Sequence, residues 1–280
     1  MSNEEPLKTA TDSIALVSEV IKAAGDSPQI REAAGNLGQT AVTLTKAINN
    51  VLVPLAAINF AFDKARIYFS GKFQEDMAQR AQTIPQEHIV EPKASIAGPS
   101  LQGLAFAHEE PDLKEMYLNL LATAMDGRVA QSAHPAFVEI IKQLDSDDAR
   151  LVRDVLTAPR ALAIVQIRRQ KKNGGHNVLA RHLLNLVSQS TGLPVEDQNL
   201  PAMIDNWSRL GLVEVAYDTW LSNDSYYSWV EQRPEYIRLK SEPQIDGVEV
   251  TYQKGVLMGT ELGNRFASAI GLQQRPAAQT

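Results

Sequence analysis

The sequence predicts a mainly α fold in which an N-terminal helical bundle precedes a smaller α+β module. Up to about residue 158, apolar residues recur every three or four positions, which places them on one face of each helix. Beyond Pro159, runs that alternate apolar and polar residues appear between helical stretches, as they do in strands. We therefore expect a helical domain over 1–158, an α+β module over 159–271 and a disordered tail over 272–280.

The central helices are predicted between residues 109 and 148. Pro111 suits the first turn of a helix, where its missing N–H costs no hydrogen bond. Pro135 begins a second helix in the same way, and Asp145 with Ser146 caps a third. The first of these helices carries one apolar stripe, formed by Leu113, Met116, Tyr117, Leu120, Leu121 and Ala124.

Further helices are predicted on the N-terminal side. Two amphipathic helices precede residue 50, and a charged helical stretch runs from Asp63 to Ala81. Between them, Ala47–Phe62 carries no charge. This run is shorter than the ~20 apolar residues of a membrane span and contains Pro54, which favours a buried helical corner. The alternative is a segment that enters a membrane when the protein is activated.

The stretch from Ile84 to Pro99 is rich in proline. A residue that precedes proline avoids the helical region of backbone space. We therefore expect an extended strap over the helices, followed by a short helix from Pro99 to Ala107.

Spaced motifs occupy residues 84–148. They are Ile84-Pro85, Glu91-Pro92, Ile96-Ala97-Gly98-Pro99, Glu115-Met116-Tyr117-Leu118-Asn119-Leu120-Leu121-Ala122, Met125-Asp126 and His134-Pro135-Ala136-Phe137. Taken together, they resemble the abortive infection alpha (Abi-alpha) family of bacterial domains. The resemblance implies a role in defence against phage, by killing or arresting the infected cell. It supplies no catalytic residues to carry over.

Composition limits the classes of function. The 280 residues are 44% hydrophobic and 21% charged, with a net charge of −6, which argues against a generally cationic surface. The absence of cysteine excludes disulfides and thiolate chemistry. The acidic, polar N-terminus does not resemble a secretory signal, so a cytoplasmic location is expected. No phosphate-binding glycine loop or metal-binding histidine pair is present, and no cofactor is expected.

A basic segment follows the helical domain. No acidic residue occurs from position 155 to position 195. The cations at its centre are Arg168, Arg169, Lys171 and Lys172. We expect a basic helix end, a turn at Gly174-Gly175 and a second helix containing Val178, Leu179 and Leu183. The cations either stabilise a solvated helix end or bind the phosphates of nucleic acid or anionic lipid.

The order of elements after this segment resembles a winged-helix module. A helix from Pro201 leads through Gly211 into a strand, a second strand covers 248–252, and Thr260 caps a closing helix. A winged helix that reads DNA usually carries several basic residues on the inserted helix, whereas this one offers only Arg209 beside Asp205. Direct base recognition through this helix is therefore not expected.

Aromatic residues are dense between the two strands. The candidates for partner binding are Trp220, Tyr226, Tyr227 and Trp229. Exposed tyrosine and tryptophan dominate the energetics of many interfaces. The alternative is a small local core beneath a long wing.

Candidate chemistry is confined to the link between the central helices. Asp126 and His134 flank that link and are candidates for a metal or acid–base pair. Arg128 and His134 also match the loose Arg-x5-His pattern of some helical RNases of phage defence. The competing interpretation is that these residues cap helices.

We therefore expect a non-enzymatic defence protein, compatible with a homo-oligomer, that binds a protein or nucleic acid through its basic and aromatic surfaces. An RNA-cleaving toxin and a membrane-disrupting effector are the alternatives, although a membrane partner is not the expectation.

Overall fold

The structure, a computed structural model, describes residues 59–243 and 247–272. These residues form two compact units. The first comprises residues 59–150 together with 268–272, and the second comprises residues 151–267.

The first unit is helical. Its elements are α1 (Asn59–Ser70), α2 (Lys72–Ala81), a 3-10 turn (Gln86–His88), α3 (Ala94–Ala107), α4 (Pro111–Met125), a 3-10 turn (Ala130–Ser132), α5 (Pro135–Ile141) and the start of α6 (Ser146–Leu156). Helix α4 packs against α2, α3 and α5. Its predicted apolar stripe is confirmed, because all six members are buried. Each buried leucine of such a stripe contributes roughly 1.5–3 kcal/mol.

The predicted helix starts of this unit are also confirmed. Pro111 and Pro135 are the first residues of α4 and α5. At the start of α6, the Asp148 N–H donates to Oδ1 of Asp145 at 2.7 Å, and the Asp145 N–H donates back to Asp148 at 3.3 Å. This reciprocal pair satisfies two donors that the helix end would otherwise leave unbonded.

The predicted strap is wrong beyond Lys93. Helix α3 begins at Ala94, so Pro99 lies inside it, in the second turn. A proline there lacks the N–H that would bond the carbonyl of Ser95, and its ring crowds that carbonyl. Tertiary packing of a largely apolar helix outweighs these costs. The residues before Lys93 do form a strap: the Val90 N–H donates to the carbonyl of Met125 at 2.9 Å.

The second unit is built on a sheet. Its elements are β1 (Leu162–Lys171), β2 (His176–Leu183), α7 (Leu200–Arg209), β3 (Val213–Ala216), a 3-10 segment (Asp224–Gln232), α8 (Pro234–Ser241), β4 (Val248–Gly259) and α9 (Glu261–Ala269). The four strands pair antiparallel in the order β2-β1-β4-β3. Because the chain contains this sheet in addition to the helices of the first unit, the fold is mixed α+β rather than mainly α.

The basic segment is a hairpin, so the two helices predicted around Gly174-Gly175 are wrong. Strand β1 pairs with β4 along its whole length, from Leu162 opposite Leu257 to Lys171 opposite Val248. The turn itself is confirmed, with φ of 89° at Gly174 and 78° at Gly175. Long-range pairing with β4 decides the structure, and local helix propensity does not.

One face of this sheet is covered by the aromatic insertion. The shared core consists of Val165, Ile167, Leu183, Tyr227, Val230, Tyr236 and Val250. The aromatic members of this core come from the 3-10 segment and α8. The insertion therefore forms a local core, which was one of the two predictions made for it.

The predicted closing helix is confirmed. Thr260 Oγ1 accepts the N–H of Gly263 at 2.9 Å and so caps α9. Gly263 lies so close to the carbonyl of Leu212 that a Cβ there would overlap it.

Within residues 59–243 and 247–272, no helix is long and apolar enough to cross a membrane. The apolar run Ala47–Phe62, the two helices predicted before it and the tail after Leu272 lie outside the residues whose side chains the structure describes.

Candidate functional site

The β1–β2 hairpin presents two of the predicted cations at its tip. Lys171 and Lys172, here called the basic tip, are exposed, and neither forms an ion pair within the described part of the chain. Backbone bonds hold the turn: the Lys171 N–H donates to the carbonyl of Gly175 at 3.1 Å, and the Gly174 N–H donates to that of Lys171 at 3.2 Å. The tip is therefore an ordered, positively charged end of the sheet.

The other two cations are held by the protein. Arg169 forms an ion pair with Glu242 at 3.0 Å, where both side chains are partly exposed. Arg168 lies on the opposite face of β1, where its Nη1 donates to Oε1 of Gln253 at 2.9 Å. The four predicted residues therefore differ in role: two face solvent at the tip and two are bound to neighbours.

Arg168 belongs to a chain of hydrogen bonds, here called the polar network. Buried Gln166 donates to Oε1 of Gln253 at 3.0 Å, so this oxygen accepts from two donors. The amide nitrogen of Gln253 donates to the carbonyl of Tyr217 at 2.5 Å. Both the oxygen and the nitrogen of the Gln253 amide are hydrogen-bonded, so this side chain is held in one orientation. It in turn holds Arg168 in place.

The network ends at a buried histidine. His182 Nδ1 lies 3.1 Å from the hydroxyl of Tyr217, and Nε2 lies 3.1 Å from Oδ1 of Asp205. Burial lowers the pKa of His182 below its ordinary value, although the Asp205 carboxylate acts in the opposite direction. The contacts fit a neutral ring in which Nε2 carries the proton and Nδ1 accepts from Tyr217, a tautomer that we assign from its partners.

His182 is also conformationally unusual. Among the residues that the structure describes, it is the only one besides glycine with a positive φ, at 56°. Such a conformation persists where surrounding contacts fix it, and it often marks a functional constraint. Burial also raises the pKa of Tyr217 to about 12, so its hydroxyl stays protonated as a hydrogen-bond donor.

The helical link contains a tightly bonded ion pair. Asp126 is buried and accepts from Arg128 Nε at 2.8 Å and Nη2 at 2.6 Å. The hydrogen bond from the Arg128 side chain holds the pKa of the Asp126 carboxyl below its ordinary value. Arg128 also donates to the carbonyl of Thr83 at 3.2 Å, which joins the link to the strap.

The third candidate of this link stands apart. His134 caps α5, because its Nδ1 accepts the N–H of Ala136 at 3.1 Å, and its ring packs edge-on against Phe137. Within the described residues, His134 shares no hydrogen bond with Asp126 or Arg128. The structure thus brings together Asp126 and Arg128 but does not join them to His134.

The described residues also contain no group of three or more His, Asp or Glu side chains placed to hold a metal ion.

The abortive infection alpha family model matches residues 65–270, which is more than half of the chain. The chain belongs to the abortive infection alpha family. No curated protein and no solved structure matches it. The family match extends beyond the motifs at 84–148 and includes the hairpin and the polar network of this Abi-alpha protein.

The four aromatic candidates of the Abi-alpha chain have different environments. Tyr227 is buried, and its hydroxyl donates to the carbonyl of Gly255 at 2.8 Å. Trp229 donates to the carbonyl of Tyr226 at 2.7 Å. Tyr226 accepts from Arg160 at 2.6 Å, and the guanidinium lies 4.6 Å from its ring centre. Trp220, in contrast, is 58% exposed.

Most of the polar network was not predicted from the sequence. Arg168 was a predicted site residue, and Asp205 was considered only as an acid on α7. Gln166, His182, Tyr217 and Gln253 meet through strand register and chain reversals, and no spacing in the sequence signals their contact. The one available signal was the unbroken apolar run before Gln166, which is typical of a buried strand.

Proposed function

We propose that this Abi-alpha protein acts in abortive infection by binding a nucleic acid through the basic tip, without catalysing a reaction. Family membership supports the role in defence. The observation that carries the binding mode is the exposed position of Lys171 and Lys172 at the end of the hairpin. No carboxylate pairs with them in the described part of the chain, and no acidic residue occurs from position 155 to position 195.

Electrostatics favours a localised contact. The whole chain carries a net charge of −6, so it repels a polyanion except where cations are concentrated. At physiological salt, charges act over only about 8 Å, so the tip attracts phosphate independently of distant acids. Binding through it should be salt-sensitive, because each neutralised phosphate releases condensed counterions.

We also propose that the second unit has a winged-helix-like arrangement that serves as a scaffold. Helix α7, strands β3 and β4 and helix α9 occur in the expected order, with the aromatic insertion between the strands. Polar side chains of α7 are engaged within the protein: Asp205 with His182, and Arg209 with Asn206 at 2.6 Å. Contacts to the phosphate backbone therefore dominate, and base recognition by α7 has no support.

Of the four aromatic candidates for partner binding, we retain only Trp220. Its indole is exposed, whereas Tyr227 is part of the core of the second unit. An exposed tryptophan offers a stacking surface for an unpaired base. We therefore propose Trp220 as a secondary contact that favours single-stranded over double-stranded ligands.

The test is the binding of labelled single-stranded RNA and duplex DNA across a salt series, followed by fluorescence anisotropy. The variant Lys171→Glu/Lys172→Glu should lose binding. The matched control, Arg150→Glu/Arg265→Glu, changes net charge by the same amount at two exposed residues. It should retain binding.

Absence of binding by the wild type at low salt, or equal loss in the two double variants, would contradict the proposed function.

A further inference from the structure

Arg168 is held in one orientation, unlike the lysines of the basic tip. Gln253 accepts from its Nη1, and Gln253 is itself fixed by Gln166 and by the carbonyl of Tyr217. A guanidinium in a fixed orientation can donate two parallel hydrogen bonds to one oxyanion, which a flexible ammonium cannot.

The remaining donors of Arg168 are unused. Its Nε is enclosed and has no hydrogen-bond partner, and its Nη2 makes no hydrogen bond within the described residues. Because Nε is enclosed, an anion that arrives from solvent can reach only the edge formed by Nη1 and Nη2, which can offer two N–H groups to one oxyanion. Arg168 as a whole stays partly exposed.

The neighbours of Arg168 on this sheet face suit an anion. It lies opposite Thr251 of β4, whose side chain is partly exposed, and opposite Val178 of β2, while the exposed Glu249 lies two residues from Thr251 and forms no ion pair with Arg168. No carboxylate bonds to Arg168, in contrast to Arg169, which Glu242 neutralises on the other face. Of the two bound arginines, only Arg168 therefore keeps an uncompensated charge.

We infer that Arg168 forms a seat for a single phosphate group, with the unused N–H groups of Nη2 and Nη1 donating to its oxygens. This inference rests on the proposed function and deepens it. The basic tip supplies diffuse attraction to the nucleic acid, and Arg168 fixes the position of one phosphate relative to the sheet.

Two conservative variants separate orientation from charge. Arg168→Lys keeps the charge and loses the paired donors, so affinity for the labelled nucleic acid should fall about tenfold while the salt dependence stays unchanged. Gln253→Leu changes no charge and releases the guanidinium, so affinity should fall about three- to tenfold. If both variants bind nucleic acid with unchanged affinity, the phosphate seat at Arg168 is overturned. If the basic-tip variant nevertheless loses binding, the proposed function still holds.

Gln253→Glu neutralises Arg168, because the new carboxylate would pair with the guanidinium. It also removes the donor to the carbonyl of Tyr217, so folding is checked by urea denaturation. We expect this variant to lose most nucleic-acid affinity while it remains folded. Lys254→Gln is the control, since it changes net charge equally while its side chain pairs with Asp224 instead. An equal loss of nucleic-acid affinity in Gln253→Glu and Lys254→Gln would show that net charge alone is responsible, and it would overturn the seat.

Inorganic phosphate is the second probe and does not depend on the basic tip. We expect millimolar phosphate to raise the melting temperature of the full chain and to have no such effect on Arg168→Lys. If wild type and Arg168→Lys respond equally to phosphate, the seat is overturned. If the wild type binds phosphate at Arg168 but binds no nucleic acid, the proposed function fails and the seat survives.

Discussion

Gly103 is a residue whose lack of a side chain is required by packing. A Cβ at this position would overlap the ring of Tyr117, which α4 packs onto α3. Gly103→Ala should therefore lower the free energy of unfolding by about 2–3 kcal/mol, the usual cost of overpacking a core. Urea denaturation measures the change.

Gly98 of the same helix provides the control for Gly103. Apart from its chain neighbours and the backbone of its own helix, no atom lies within 4 Å of a Cβ placed there. Alanine forms helix better than glycine, whereas the Cδ of the following Pro99 crowds a Cβ in the helical region, so Gly98→Ala should change the free energy of unfolding by no more than about 1 kcal/mol. Equal destabilisation by the two substitutions would show that helix disruption, and not the contact with Tyr117, is responsible.

His182 links stability to pH. Its folded-state pKa lies below the ordinary value of about 6.5, because burial disfavours the charged ring. The unfolded chain therefore takes up a proton first as the pH falls. The neutral ring of His182 therefore contributes its full share to the free energy of unfolding above about pH 6.5. This contribution is lost as the pH falls toward the pKa of the folded state.

The test of His182 compares urea unfolding at about pH 7.5 and about pH 5.5. The variant His182→Asn suits the comparison, since asparagine tolerates a positive φ. Between these two pH values, the wild type should lose more stability than the variant. Parallel losses would assign the pH dependence to other groups.

His134 and Arg128 form structural contacts in the link, although the sequence alone made them candidates for catalysis. His134→Ala removes the cap of α5, which should lower the free energy of unfolding by about 1 kcal/mol. On the proposed function, it should leave nucleic-acid binding unchanged. RNA cleavage by the wild type that disappears in this variant without a loss of folding would instead support the RNase alternative.

Among the elements, α8 is fixed by an arginine at its start. Arg233 is 1% exposed, pairs with Glu235 at 2.6 Å and donates to the carbonyls of Leu186 and Val195. Arg233→Met would leave the carboxylate of Glu235 buried without its partner, so stability should fall by about 3 kcal/mol.

The matched control for Arg233 lies on the same helix. Arg238 pairs with Glu196 at the surface, where an ion pair contributes less than about 1 kcal/mol. Arg238→Met should therefore change the urea midpoint only slightly. A small effect of Arg233→Met as well would mean that α8 and the loop before α7 are held by apolar packing alone.

The hairpin shows where sequence analysis reaches its limit. In α4, the apolar period and Pro111 determine the helix locally, so the prediction is confirmed residue by residue. In β1, the basic residues after Ile167 suit a helix or a strand equally, and only pairing with β4, some eighty residues later, distinguishes them. Gln253 and Arg168 are separated by the same long stretch of chain, so no local pattern signals their contact. The basic segment was therefore predictable from the sequence, whereas the polar network was not.

For the molecule as a whole, the distribution of charge limits the size of the contact. A chain with a net charge of −6 repels a nucleic acid except where cations are concentrated. In the proposed contact, these cations are Lys171, Lys172 and Arg168. Neutralising three phosphates predicts that the logarithm of the affinity for duplex DNA falls with the logarithm of salt concentration at a slope of about −2.7. A much steeper slope would show that cations other than these three contact the nucleic acid.

Protection of cells against phage provides the final test of the proposed binding mode. If abortive infection requires the contact through the basic tip, cells that express Lys171→Glu/Lys172→Glu should lose protection against phage. Exposed lysines do not support the fold, so the variant should accumulate to the wild-type level. The measurement is the efficiency of plating, with protein amounts compared by immunoblot. Arg150→Glu/Arg265→Glu should protect as the wild type does, because it makes the same change of charge and keeps both lysines of the tip. Full protection by the basic-tip variant would separate nucleic-acid binding from defence, and the exposed indole of Trp220 would become the next surface to substitute.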